Sequence, residues 1–260
     1  MPAIHPTAIV SNAARLAQDV SVGPFSIVKD DVEIAGGVSI GPHCLVDDGA
    51  RISPNVVVHQ GAVLATPPQD LKYAGEKTEL YVGEGTVIRE YCTLNRATTH
   101  SMKTVIGRNC FFMAYVHAAH DCRIGDNVII ANATQLGGHT LIGDHAIVGG
   151  GTAVHQFTHI GTHSMIAGGI RVVKDVPPYA LAGGMPAQFE GLNSIGLRRR
   201  GFPAETRELI AAAYRAIYRS GMNVSQAVEY IKEHLPRIPE ITAILDFIAQ
   251  SNRGIIKPAD

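Results

Sequence analysis

An aliphatic residue returns at every sixth position from Ile4 onward, at Val10, Leu16, Val22, Val28, Ile34, Ile40, Val46, Ile52, Val58 and Leu64. Four residues after each stands a small or compact one, among them Ala8, Ala14, Val20, Ser26, Cys44, Ala50 and Ala62. Each hexad therefore offers two positions fit to point into a narrow interior. A six-residue period is neither that of an amphipathic helix nor the plain alternation of a half-buried strand. It fits short parallel strands coiled so that each stacks on its counterpart one turn away, and neighbouring repeats then share one continuous core. The beat returns at Val82, Ile88 and Leu94 and runs again from Ile106 to Val172. Residues 65–79, ATPPQDLKYAGEKTE, carry two adjacent prolines, charge and no hexad, which predicts a loop thrown out from the coil; the irregular stretch 97–105 predicts a second, shorter one. Beyond Pro177 and Pro178 the hexads stop. Apolar spacing then becomes helical over 203–220, 224–235 and 239–251, with breaks at Ser220-Gly221, Pro236 and Pro239. The expected organisation is a mainly β repeat region over 1–190 and a C-terminal α-helical domain over 191–260.

The hexads resemble those of hexapeptide-repeat proteins, in which three make one turn of a left-handed parallel β-helix. That resemblance supplies the count and the hand; parallel crossovers are ordinarily right-handed. Residues about 18 apart should then stack roughly 4.8 Å from one another along the axis. Positions 117–120, 135–138 and 153–156 fall in one such column. The segments MAYVHAAHDC, QLGGH and AVHQF should thus meet at one corner of three successive turns, with His120 and His139 as near neighbours.

Composition narrows the functional classes. With 260 residues, 46% hydrophobic content and a formal charge of −1, the chain can bury a sizeable core and shows no global bias toward nucleic acid or membrane. No apolar run reaches membrane-span length, and the start MPAIHPTAIV lacks the basic and apolar blocks of a secretory signal, so a cytoplasmic location is expected. All four cysteines, Cys44, Cys92, Cys110 and Cys122, occupy the inward compact place of a hexad, and Cys92 and Cys110 share the stacking interval. They read as buried small hydrophobes in a reducing compartment, not as a disulfide or metal site.

Among twelve histidines, His43, His59, His145 and His163 sit at outward places and read as solvated surface. His120 differs. It has Asp121 beside it, His139 on the next turn, and Gly137 and Gly138 alongside, the equipment of a general base with an orienting carboxylate and open backbone for a reacting oxygen. Zinc is the competing reading of the same residues, since imidazoles on adjacent turns could hold the metal, as in trimeric β-helical hydratases. The base reading expects no metal and no cofactor. Metal analysis of the purified protein separates the two.

The motifs QDLKYAGE (69–76), IRE (88–90), HAAHDC (117–122), GGTAVHQF (150–157), DVPPY (175–179) and RRRGF (198–202) occur in this order along nearly the whole chain. In this they resemble the UDP-N-acetylglucosamine O-acyltransferases, which begin lipid A synthesis with acyl carrier protein thioesters. The resemblance implies that His120 takes the proton from the sugar 3-hydroxyl as that oxygen attacks the thioester, that Asp121 supports it, and that the Gly138 N–H faces the oxyanion. No covalent acyl-enzyme is implied. It further implies substrate contacts for Gln69, Asp70, Lys72, His117, His139, His155 and Gln156, nucleotide contacts for Asn193, Arg199 and Arg200, and an acyl groove kept long by Gly168. Two positions depart from the family pattern. Asn95 stands where a histidine lies on the sugar-binding face, and Ile195 replaces an acidic residue near the nucleotide. Asn95 leaves open a 3-amino analogue of UDP-GlcNAc as acceptor.

Arg198, Arg199, Arg200, Arg207, Arg215 and Arg219 gather at the start of the helical region, opposed only by Glu205 and Glu208. An acidic carrier protein bearing a hydroxyacyl chain would find this stretch attractive; nucleic acid is less suited, because few aromatics are interleaved. The resemblance also implies a homotrimer with the site between subunits. A β-helix used only for binding would show uniform outward faces, whereas loops and a histidine-rich corner interrupt these.

Overall fold

The computed structural model describes residues 1–259. Three sheets of eleven, nine and eight strands, parallel except for the last pair of the first, wrap one axis as a left-handed β-helix. The first face runs from Ala3–Ile4 through Phe111–Phe112 and Ile147–Val148, the second from Ile9–Val10 through His117–Ala118 to Arg171–Val172, and the third from Arg15–Leu16 through Arg123–Ile124 to His159–Ile160. Most strands are two residues long because each hexad contributes one short rung and then turns a corner. The hexad aliphatics form the core: Ile40, Val58, Ile88, Phe112, Ile130, Val148 and Ile166 stack on the first face and are all buried. Each such side chain contributes about 1.5–3 kcal/mol of burial. Ile4, on the first turn, is exposed, since no turn lies beneath it.

At the compact inward place, hydroxyls are tolerated because they find carbonyls. Thr134 donates to Gly149 O at 3.1 Å, Thr140 to Gly137 O at 2.6 Å and Thr152 to Ala167 O at 3.0 Å. The corners turn through left-handed backbone. Asp121, His139 and Phe157 do so between the second and third faces; Asn109, Asn127, His145, His163 and Tyr179 do so between the third and first.

Uninterrupted turns pair as expected, Phe111 with Ile129 and His117 with Gln135. The two loops reset the register. The strand Val63–Thr66 ends before the first loop and Glu79–Val82 resumes after it, so Val57 pairs with Val87. The second loop lies between Thr93–Asn95 and Lys103–Ile106, and Thr93 pairs with His117. Cys92 and Cys110 consequently do not stack. Cys92 precedes a strand of the second face and Cys110 one of the first, and all four thiols are buried and unpaired. Burial raises each of them.

Four helices follow: α1 (Ser194–Arg199), α2 (Ala204–Arg219), α3 (Val224–His234) and α4 (Pro239–Gln250). The last three match the expected ranges. The short α1 was not anticipated from the apolar spacing; Asn193 caps it by accepting from Gly196 N. Helix α2 buries Ile210, Ala213, Tyr214 and Ile217, one stripe at helical spacing, and the Tyr214 hydroxyl donates to Pro178 O. The boundary expected at 190/191 falls inside the strand Gln188–Leu192, which pairs antiparallel with Ala180–Gly183. The chain end returns to the coil, where Ile256 N donates to Asp175 O at 2.9 Å.

Candidate active site

The column computed from the hexads is present. His117 pairs with Gln135 and Gln135 with Ala153 on the second face, so the corners that follow carry His120 and Asp121, then Gly138 and His139, then Gln156 and Phe157, on three successive turns. His120 and His139 meet edge to face with ring centroids 5.2 Å apart.

His120 Nδ1 lies 2.7 Å from Asp121 Oδ2. An ionised carboxylate only accepts, so Nδ1 carries the hydrogen and Nε2 is left with its lone pair outward, the tautomer a base requires. Asp121 is fully buried at its side chain, yet its oxygens are well supplied: the Thr98 N–H and hydroxyl and the Ser101 N–H and hydroxyl all donate to them. Burial pushes this carboxyl up, but the hydrogen bonds from His120, Ser101 and Thr98 more than offset it and hold it below the ordinary carboxylate range.

Thr98 and Ser101 come from the second loop and were not among the residues singled out in the sequence. The same loop brings His100, whose ring meets His139 at 4.6 Å. His139 also stacks on Phe157 at 4.3 Å, and burial lowers its basicity. His117 accepts from or donates to Thr93 Oγ1 at 2.7 Å, and burial likewise favours its neutral form. A cleft of about 320 Å³ opens beside this group, walled by Asp70 and Lys72 of the first loop, Thr98 and His100 of the second, and His139 and Phe157. Gln69 is exposed on the first loop, and His155 and Gln156 are exposed on the third turn of the column.

Gly138 is fixed by geometry. A Cβ added there would lie 2.7 Å from His120 Cε1 and 2.8 Å from Nε2. Its N–H makes no backbone hydrogen bond among the described residues and is free to serve as a donor.

Two readings need correction, that of Asn95 and that of His145 and His163. Asn95, expected on the sugar-binding face, is 2% exposed; its Nδ2 donates among Thr66 O, Thr66 Oγ1 and Pro67 O, so it fastens the base of the first loop, while its Oδ1 is buried without a partner. Arg96, beside it, ties the same loop through the Tyr73 hydroxyl at 3.1 Å. His145 and His163 are not solvated surface. Their rings stack at 4.7 Å, and His163 packs on Tyr179 and Phe202, its Nδ1 buried without a partner. Burial, then His145 and Arg200, push His163 down to about 4. Asn193 and Arg200 belong to this third corner, not to that of His120: Asn193 Nδ2 donates to His163 O at 2.9 Å and Arg200 reaches His145. Arg199 and Ile195 are exposed nearby. Gly168 lies at the remaining corner, where an added Cβ would sit 3.0 Å from Gly150 O.

His120, Asp121 and His139 bring one donor atom each within 4.8 Å of one another. As metal ligands they would have to surrender the Thr98, Ser101 and His120 hydrogen bonds that already occupy the carboxylate. The donor set therefore suits proton transfer better than coordination.

Asp121 also carries an acid-stability prediction. Its folded carboxyl titrates below the ordinary value of about 3.9, so as pH falls the unfolded chain takes up the proton first. The stabilisation is complete above that value and drains away below it. Asp121→Asn should be less stable at neutral pH by about 1–3 kcal/mol, and the gap in melting temperature from the parent should narrow as the pH drops below about 4.

Repeat coils with a carboxylate-backed imidazole at a corner point to the class, a hexapeptide-repeat transferase, and a family model described as bacterial transferase hexapeptide (six repeats) matches residues 103–138. A second model, UDP-N-acetylglucosamine O-acyltransferase domain 2, matches residues 175–256. The acyl-[acyl-carrier-protein]--UDP-N-acetylglucosamine O-acyltransferase of Chlorobaculum tepidum is 57% identical over 98% of this chain and 98% of its own length, and that of Thermodesulfovibrio yellowstonii is 43% identical over 99% and 100%. The crystal structure of a UDP-N-acetylglucosamine acyltransferase from Bacteroides fragilis superposes with a TM-score of 0.96 at 40% identity, covering 97% of this chain and 99% of that one. The chain belongs to the UDP-N-acetylglucosamine O-acyltransferase family.

Proposed function

We propose that the protein transfers a hydroxyacyl group from acyl carrier protein to the 3-position of UDP-GlcNAc, the opening step of lipid A synthesis. The observation that carries this is the free Nε2 of His120, fixed from behind by Asp121 and facing the Gly138 backbone. Nε2 takes the proton of the sugar 3-hydroxyl while that oxygen attacks the thioester carbonyl carbon. The Gly138 N–H donates to the resulting oxyanion. Collapse breaks the carbon–sulfur bond, and the imidazolium returns its proton to the departing thiolate. His139 and His117, kept neutral by burial, add no competing positive charge beside the base.

A homotrimer completes the site in this reading. His120 stands at one corner, whereas Asn193 and Arg200 stand at another, so in this reading neighbouring chains bring them to one sugar nucleotide. The first face is suited to packing on a neighbour, for beyond Ser21 and Ser39 its outward column is unbroken apolar, Val57, Val87, Phe111, Ile129, Ile147 and Met165, whereas the third face mixes Arg15, Glu33, Arg51 and Arg123 with Tyr81, Val105 and Leu141. The carrier protein docks on the exposed Arg215 and Arg219 of α2 and on Arg198 and Arg199. No helix among the described residues is long and apolar enough to cross a membrane. A cytoplasmic site of action fits a carrier-bound donor.

The test is acyl transfer from hydroxyacyl carrier proteins of several chain lengths to UDP-GlcNAc and to its 3-amino analogue. Turnover with the 3-hydroxyl sugar supports the reading, turnover with the amine alone reassigns the acceptor, and transfer to neither overturns it. Gly168→Met should shift donor preference toward shorter chains in the same assay.

A further inference from the structure

We propose that His145 is a positioning residue for nucleotide binding, holding Arg200 in place through a hydrogen bond that exists only while its imidazole is neutral. The proposal rests on the reading of Arg200 as a contact to the nucleotide.

Arg200 Nη1 lies 2.8 Å from His145 Nδ1, and Nη2 lies 3.5 Å from His145 O. A guanidinium has five donors and no acceptor, so His145 Nδ1 must be the acceptor and the ring hydrogen must sit on Nε2. The ring cannot swing freely to follow the arginine. It stacks on His163 at 4.7 Å, His163 meets Phe202 edge to face at 4.9 Å, and Phe202 closes the segment that carries Arg200. The two ends of one short stretch of chain, Arg200 and Phe202, are thus pinned to two adjacent turns of the coil. Without the His145 contact, Arg200 would be an exposed side chain at the C-cap of α1, free to sample many rotamers before engaging a pyrophosphate.

Protonation of His145 removes the acceptor and sets a positive charge against the guanidinium. The groups facing this ring are His163 from the turn above, Arg200 from the end of α1, Asp144 beside it, and Asp126 from the turn below, which is itself engaged by Arg108. Burial, then Arg200, lower the basicity of His145, against the smaller opposing pull of Asp144 and Asp126. The hydrogen bond is therefore intact at neutral pH and is lost only once the pH has dropped past the ordinary imidazole value, since His145 protonates below it.

The corner itself supplies suitable variants. The equivalent left-handed positions on the turns below are Asn127 and Asn109, and Phe157 and Phe25 show that the same backbone accepts phenylalanine. His145→Asn places a carbonyl oxygen where Nδ1 was and does not titrate. His145→Phe keeps the stack on His163 and deletes the acceptor.

The experiment measures KM for UDP-GlcNAc and kcat between about pH 5 and 8 for the parent, His145→Asn, His145→Phe and Arg200→Ala. At pH 8, His145→Phe should raise KM about tenfold with little change in kcat, the low end of what one hydrogen bond to a charged group is worth, while His145→Asn stays near the parent. Toward low pH the parent KM should climb and the His145→Asn KM should stay flat. If Arg200→Ala raises KM but His145→Phe does not, the positioning role is wrong and the nucleotide contact stands. If His145→Asn keeps the parent's KM profile, the titrating group lies elsewhere and the proposal fails. If Arg200→Ala leaves KM unchanged, the underlying nucleotide reading falls, and the role of His145 falls with it.

Discussion

His120→Ala should lower kcat by roughly 10²–10⁴-fold, the usual worth of a positioned general base, with much less change in KM for either substrate. The argument is one of atoms. Asp121 fixes the hydrogen on Nδ1, and Thr98 and Ser101 fix Asp121, so a single lone pair is left on Nε2, beside Gly138. The two histidines nearest His120 are otherwise engaged. His139 Nε2 is directed at Asp121 Oδ2, 3.8 Å away, and its ring is clamped between His100 and Phe157; His117 is engaged by Thr93. Melting temperature should fall modestly, because buried Asp121 loses one of its donors while the hexad core stays intact. Steady-state kinetics at saturating donor and acceptor check this, and full turnover by the variant would remove His120 from the chemistry.

Gly138→Ala should reduce kcat on the order of 10²-fold while costing only about 1–3 kcal/mol of stability. The methyl would press on Cε1 and Nε2 of His120, the far end of a side chain, so the coil accommodates it by turning the ring aside. The fold survives and the base is mispointed. Alanine keeps the backbone N–H, so a double variant distinguishes this from the methyl blocking the oxyanion's approach to that donor. If Gly138 acts by leaving room for the ring, its substitution should cost little more in a His120→Ala background; if the two act independently, the losses should multiply.

The hexad period made the coil legible because each rung repeats the same inward pair, and stacking follows from counting. With the three-hexad turn that the resemblance supplied, it placed His120 beside His139 without coordinates. Counting failed wherever a loop intervened: Cys92 and Cys110 share the interval but not a face, since the second loop inserts one extra hexad's worth of chain between them. The support for Asp121 was invisible for a related reason. Thr98, His100 and Ser101 lie in a stretch with no period, and ordinary hydroxyl residues carry no signal until the loop folds back over the corner. Outward position alone misjudged His145 and His163, whose surroundings are completed by Tyr179 and Phe202 from beyond the repeats. Asn95 was misplaced because a buried amide under a loop base looks, in sequence, like any polar residue near the site. The arginines at 199 and 200 were legible as a basic cluster, but their corner depended on the unanticipated α1.

The most direct measurement is complementation between two defective chains. His120→Ala and Arg200→Ala each damage a different corner, and if neighbouring copies in a trimer jointly form each site, random co-assembly restores both groups to about a quarter of the sites. Co-expressed chains assayed at UDP-GlcNAc well below KM should therefore recover about a quarter of parental activity, far above either variant alone. A mixture no more active than the sum of its separately expressed parents would contradict the account.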